Sequence, residues 1–241
     1  MVSIVILRAG DPPPSVAERR GTFFDFITRS AGGGAAVRWS EHDVRTDAPL
    51  PGVHAADGFV MTGSSSSVTE RAPWMLRTEA WLRDLHAAER PFFGICFGHQ
   101  MLAQALGGVV AKNPRGREIG TIRVELHHGA EHDPVFLGLP RTAVVNATHQ
   151  DSVTSLPAGA RLLASSDKEP HAAFAIGDHI RCVQFHPEFD GEIMKGYVRA
   201  RAHLLAQEGL DADAIHDEAG DTEHGPLMLR NWVDALARRG R

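Results

Sequence analysis

Cysteine, long apolar runs and positive charge are all scarce in this sequence. Only two of its 241 residues are cysteine, Cys96 and Cys182, which excludes a disulfide framework and suits a reducing cytoplasm. No stretch approaches the roughly 20 apolar residues that cross a bilayer. The apolar run at residues 2–7 is too short for the core of a secretory signal and stops at Arg8. With 25 Lys and Arg against 30 Asp and Glu, the net charge is −5 and no long basic run occurs, so a nucleic-acid partner is not expected. The nucleotide-cradling pattern GxxxxGK[ST] is also missing. No internal repeat or low-complexity linker divides the chain. These absences leave a cytoplasmic protein with neither membrane nor nucleic acid as partner.

A hydrophobic content of 43% marks an ordinary globular chain with enough residues to bury a sizeable core. Its 14 histidines make net charge sensitive to pH near neutrality. Short apolar, β-branched runs at residues 3–7, 35–40, 58–61 and 92–95 alternate with helix-like segments, the pattern of a parallel sheet covered by helices. One helix is expected from Phe23 to about Ser30, closed by Gly32-Gly33-Gly34. Another opens at Pro73, where a missing N–H costs nothing, and must end by Arg90. The Pro12-Pro13-Pro14 segment reads as a loop. Shorter strands follow at 121–126, 143–147, 161–164, 172–176 and 180–185. Beyond Glu192 the chain turns helical, with a polar, acidic gap near 211–225 and a last helix at about 227–238. The simplest organisation is one domain over 1–241, with a core to about residue 200 and a helical extension after it.

Gly94-Ile95-Cys96-Phe97-Gly98 runs directly from a hydrophobic strand into a helix over residues 100–106. This is a nucleophile elbow with Cys in place of Ser. Glycines two positions either side let the two backbones pass closely. The helix N-terminus faces the sulfur and favours the thiolate, the reactive form. The Phe97 N–H is placed for a developing oxyanion. Cys182, inside a strand, has no such setting and reads as structural.

A cysteine nucleophile needs a base. His186-Pro187-Glu188 stands at a strand end, where functional groups of parallel α/β sheets collect. Residues two apart in an extended segment share a side, so Glu188 can hold the His186 ring while its other nitrogen meets the sulfur. His99 competes by proximity but is expected to point away within its helix. His149, in Thr148-His149-Gln150-Asp151, reads better as a pocket wall.

The block GICFGHQ, followed about ninety residues later by QFHPE, resembles the class I (triad) glutamine amidotransferases. DGFVMTGSSSSV before the cysteine and THQDSV between the two blocks match in the same order. The resemblance implies a three-layer α/β/α flavodoxin-like sandwich with a mostly parallel central sheet, and a catalytic triad of Cys96, His186 and Glu188. It also implies an oxyanion hole from the Gly63 and Phe97 amides. Gln100, with backbone of Ser65 and of Thr148, His149, Gln150 and Asp151, would hold the amino-acid end of glutamine. Cys96 would attack the γ-carbonyl, His186 would protonate the departing amine, and water would hydrolyse the thioester, with no metal or other cofactor. The serine run Ser64–Ser67, where many members carry glycine or proline, is expected to loosen the oxyanion loop.

No synthetase domain accompanies these blocks. Either a separate synthetase subunit uses the ammonia, or the protein cleaves γ-glutamyl bonds alone. The stretches 149–167 and 175–193 are similar both to stand-alone γ-glutamyl peptidases and to the amidotransferase domain of GMP synthetase. Glutamine hydrolysis is the leading expectation and γ-glutamyl peptide hydrolysis the second. A non-catalytic binding module is the third, disfavoured by three intact triad residues. The cluster from His127 to Asp133 has ligand-type residues but no metal-site spacing and reads as a solvated loop. Arg238-Arg239-Gly240-Arg241 reads as a frayed terminus.

Overall fold

The computed structural model describes residues 1–32 and 36–239. Gly33 and Gly34 of the expected helix break, Ala35 of the expected second strand and Gly240-Arg241 of the basic tail lie outside the described residues.

In chain order the strands are β1 (Val2–Arg8), β2 (Val37–Asp43), β3 (Gly58–Met61), β4 (Phe92–Ile95), β5 (Val109–Lys112), β6 (Glu118–Leu126), β7 (Thr142–His149), β8 (Asp151–Ser155), β9 (Ala160–Ser165), β10 (Ala173–Ile176) and β11 (Ile180–Val183). The helices are α1 (Pro14–Arg20), α2 (Phe23–Ala31), α3 (Pro73–Ala87), α4 (Phe97–Ala105), α5 (Gly191–Gln207), α6 (Ala212–Glu218) and α7 (His224–Arg239). Nine strands form one sheet in the order β2-β1-β3-β4-β11-β10-β9-β6-β7, while β5 and β8 pair separately. From β2 to β11 every pairing is parallel; from β11 to β7 every pairing is antiparallel. Each antiparallel step reverses direction, so only β10 and β6 oppose the rest. Most of the sheet therefore points one way.

Side-chain alternation along these strands builds two cores. Ile4, Ile6, Val60, Phe93 and Ile95 pack with Phe26 of α2, Met194 of α5 and Trp232 of α7. Leu7, Phe59, Met61 and Phe92 face the other way, onto Leu82 of α3 and Met101 of α4. A helix layer on each face of the sheet is the expected α/β/α sandwich.

Besides β5 and β8, which the sequence reading does not contain, three elements depart from it. Pro14 does not continue a loop but occupies the first turn of α1, by the same rule that places Pro73 at the start of α3. The acidic gap contains α6, because the Asp211 side chain accepts from the Asp213 and Ala214 amides and caps it. The strand expected at 180–185 ends at Val183, since the Gln184 N–H turns to the Ala172 carbonyl.

The order of strands positions the site. From β1 the chain moves to one side for β2 and to the other for β3, so the loops after β1 and β3 diverge and leave a crevice at the carboxyl ends. β4 and β11 lie next to β3, and Cys96 follows β4. The close passage expected at the elbow is present: a Cβ on Gly94 would lie 2.8 Å from the Gly98 carbonyl oxygen, and one on Gly98 would lie 2.6 Å from that of Met61. Backbone cannot yield as a flexible side chain can. Gly98→Ala is therefore expected to cost about 1–3 kcal/mol, read as a lower denaturant midpoint at unchanged slope. An unchanged midpoint would mean that α4 can leave β3 freely.

Candidate active site

Cys96 sits at φ 49° and ψ −97°, in the left-handed region that side-chain-bearing residues seldom occupy. Its N–H donates to the Val183 carbonyl at 2.8 Å and its carbonyl accepts from the Gln100 N–H at 3.1 Å. The turn is thus fastened to β11 on one side and to the first turn of α4 on the other. Phe97 is the first residue of α4, where a backbone N–H has no acceptor within its own helix.

His186 follows β11 and pairs as an isolated bridge with Asn146 of β7. Its Nδ1 lies 2.8 Å from Glu188 Oε1. The two residues reach the same side through a turn rather than an extended strand, as the Phe189 N–H closes back on the His186 carbonyl. The imidazole stacks on Phe189 with centroids 4.0 Å apart, and Phe23 lies parallel to it at 6.4 Å. These rings fix its plane and exclude water. Burial alone disfavours imidazolium, yet the Glu188 carboxylate and the Cys96 sulfur hold the His186 pKa up at about 9. Burial likewise raises the Cys96 thiol, but the charge and hydrogen bond of His186 outweigh it and bring the thiol below its ordinary value. Thiolate and imidazolium therefore support each other.

Gly63 stands at the end of β3 with a reason of its own to be glycine. A Cβ there would lie 2.8 Å from His186 Cε1. The serine run after it is tied down. Ser64 packs against Gly10, where a Cβ would lie 2.7 Å from Ser64 Cα. The Ser66 N–H donates to Ser64 Oγ at 3.1 Å, and Ser67 Oγ hydrogen-bonds Asp151.

The remaining expected residues fall around this centre in different roles. Ser65 is exposed at the loop's rim. The Thr148 carbonyl lies 4.0 Å from Cys96 Sγ, and Thr148 Oγ1 accepts from Arg201 at 2.6 Å. The His149 ring is spent inside the protein, on the Asp151 carbonyl at 3.0 Å and Glu118 at 2.9 Å. The Gln150 side chain turns away to Glu208, just after α5. Gln100 is buried, its Nε2 donating to the Asp151 carbonyl and to Gln184 Oε1, each at 3.0 Å. His99 packs on Phe174, and burial pushes its pKa down to about 3; it is a neutral core residue. In the His127–Asp133 segment, expected as a solvated loop, Asp133 is instead buried against Arg161 and Arg181.

Two residues near the sulfur escape the sequence reading. Gln184 Nε2 lies 3.5 Å from Cys96 Sγ; its signal was its place two residues before His186 in QFHPE. Arg201 of α5 lies over the Tyr197 ring at 4.9 Å and beside Thr148. No local pattern marks it, since it lies in an otherwise ordinary helix.

The sequence profile of the family Glutamine amidotransferase class-I matches residues 29–201, more than half of the chain. Gamma-glutamyl peptidase 3 of Arabidopsis thaliana is 33% identical over 141 residues, covering 57% of this chain and 57% of that protein. The glutamine-hydrolyzing GMP synthase of Thermomicrobium roseum is 40% identical over 131 residues, covering 54% of this chain and 23% of the synthase. The match thus spans little more than half the peptidase's length and about a quarter of the synthase's. A crystal structure of a glutamine amidotransferase from Thermotoga maritima has the same fold, with a TM-score of 0.72 at 23% identity over 99% of this chain and 97% of that one.

The shifted Cys96 and His186 set a pH window. The thiolate–imidazolium pair forms as pH rises through the depressed thiol pKa and is lost as His186 deprotonates at about 9. Alkylation of Cys96 by iodoacetamide is expected to stay fast below pH ~8.5, where an ordinary cysteine protonates. His186→Asn removes the cation and is expected to slow it about tenfold near neutrality, one unit of thiol pKa. Equal pH profiles for the two proteins would refute the pairing.

Proposed function

Since the chain belongs to the class I glutamine amidotransferase family, we propose that it hydrolyses the γ-amide of glutamine through a thioester on Cys96. The observation carrying this reading is the disposition of Cys96, His186 and Glu188: a nucleophile on a left-handed turn, a base at its sulfur, and a buried carboxylate orienting that base. Sγ attacks the γ-carbonyl carbon, and the carbonyl oxygen takes the negative charge at the Phe97 and Gly63 amides. His186 gives its proton to the departing nitrogen, which leaves as ammonia. Water, deprotonated by the same ring, then adds to the thioester, and glutamate departs as the thiolate is restored. Glu188 stays ionised and keeps the imidazole in register.

The amino-acid end of glutamine would lie along the Thr148–Asp151 backbone and the Ser65 loop, near Gln100. Of these four residues, Thr148 and Asp151 present carbonyls close to Cys96 or Gln100. A separate synthetase subunit would consume the ammonia. The reducing cytoplasm is the proposed compartment, supported by two buried, unpaired cysteines. None of the helices described is long and apolar enough to cross a membrane.

One observation favours a second reading, γ-glutamyl peptide hydrolysis. Arg201 is a half-buried cation beside Thr148, and Tyr197, Arg117 and Cys96, but no carboxylate, dominate its electrostatic surroundings among the described residues. A peptide leaving group carries a carboxylate that such a cation suits; ammonia does not. Hydrolysis of glutamine and of γ-glutamyl dipeptides is to be compared in wild type, Cys96→Ala and Arg201→Gln. Cys96→Ala is expected to lose both activities by several orders of magnitude; retained activity would sink the thioester route. Under the peptidase reading, Arg201→Gln raises KM for the dipeptides about tenfold or more and spares glutamine. Equal effects on both substrates would remove that reading.

A further inference from the structure

We propose that Gln184 is a catalytic residue: its side-chain amide donates a hydrogen bond to the Cys96 sulfur, in an orientation that Gln100 dictates. This rests on the reading of Cys96 as the nucleophile.

The two ends of a side-chain amide are chemically opposite, so the direction of each bond must be argued. The Asp151 backbone carbonyl can only accept. It lies 3.0 Å from Gln100 Nε2, so the Gln100 amino group faces it. The second hydrogen of that amino group points at Gln184, also 3.0 Å away, and must meet an acceptor, which is Gln184 Oε1. The Gln184 amino group is then left facing Cys96 Sγ at 3.5 Å. Reversing Gln184 would oppose two donors and turn a carbonyl oxygen towards a thiolate.

The same carbonyl is anchored from behind. His149 Nδ1 donates to it at 3.0 Å, while Nε2 meets Glu118, whose other oxygen accepts from Ser166 Oγ at 2.6 Å. A continuous hydrogen-bonded path thus runs from Glu118 through His149, the Asp151 carbonyl, Gln100 and Gln184 to the nucleophile. Gln184 is 1% exposed and Gln100 4%, so water does not compete for these bonds.

The path adds a constant donor to a changing one. His186 gives its proton to the departing nitrogen during acylation, is neutral until water adds, and regains a proton only then, so its support of the sulfur varies through the cycle. The Gln184 donor does not titrate and serves in both halves. The ionisable groups that bear on the sulfur include His186, His149 and Glu188, with Arg201 and Tyr197 of α5 also interacting with it; Gln184 adds a neutral donor to them.

The test is the pH dependence of Cys96 alkylation by iodoacetamide, followed at the Cys96 peptide, in Gln184→Met, Gln184→Glu and Gln100→Met. A hydrogen bond to an ionised group corresponds to about a tenfold change in thiolate fraction. Gln184→Met is expected to raise the midpoint by about one pH unit. Gln184→Glu, of nearly the same size and able to fold if the larger change is not tolerated, raises it further by placing a carboxylate at the sulfur. Gln100→Met frees Gln184 to turn over and gives a smaller shift of the same sign. A purely structural role lowers the melting temperature and leaves the midpoint alone. Folded Gln184 variants with the wild-type midpoint overturn the proposal. Retained hydrolysis in Cys96→Ala would instead overturn the nucleophile reading, so the two failures are distinct.

Discussion

The left-handed backbone at Cys96 is the constraint on which the remainder of the site depends. A residue with a side chain at φ 49° carries about 1–3 kcal/mol of strain, and the surroundings must hold it there. Hydrogen bonds to Val183 and Gln100 do so, and the flanking glycines let β4 and α4 close up against β3. Because β4 lies between β3 and β11, the lateral neighbours of this turn are Gly63 at the end of one strand and His186 beyond the other. A single sharp turn in a central strand thus sets where the proposed oxyanion donors and base can be.

Burying charge in such a place is costly unless every charge is matched. The imidazole of His186 has a carboxylate on one nitrogen and the sulfur on the other. His149 has Glu118 on one nitrogen and a backbone carbonyl on the other, with Glu169 at 4.0 Å. Phe23, Phe189 and Tyr197 close the His186 side with apolar faces. The low-dielectric wall makes the thiolate–imidazolium attraction strong and would make an unpartnered charge there expensive. His186 and His149 are each tied to a carboxylate, Glu188 and Glu118, and each holds a second group in the site.

The sequence revealed those parts of this arrangement that are local. β3 and β4 were readable to the residue, because apolar runs flanked by turn residues declare themselves. The elbow was readable because two glycines and a cysteine lie within five positions. His186 and Glu188 were readable as a pair because a proline separates them. The Pro12–Pro14 run misled, since one proline can end a strand and the next begin a helix. β5 and β8 were missed because each is a short piece that pairs only with the other. Gln184 and Arg201 acquire meaning only after folding: the bond from Gln184 to Cys96 spans 88 positions, and no spacing rule reaches so far. The engagement of the Gln100 amino group by Asp151 and Gln184 is likewise visible only in the fold.

The oxyanion loop shows why a departure from a motif need not disturb a site. Ser64–Ser67 replaces residues that usually stiffen this turn, and looseness was the natural expectation. The stiffness has other sources here. Gly63 must remain glycine because His186 approaches it too closely for a Cβ, whatever follows in the loop. Ser64 lies against Gly10 at the end of β1, so the loops after β1 and β3 brace each other across the crevice. Ser67 reaches Asp151, which belongs to the same strap whose carbonyl orients Gln100. The serines therefore exchange an intrinsic backbone restriction for external hydrogen bonds. Gly63 is confined by the His186 ring on one side and, through the serine run, by the Asp151 segment on the other. The proposed oxyanion donor, the proposed base and the strap form one mechanical unit, and Cys96 is the point at which all three converge.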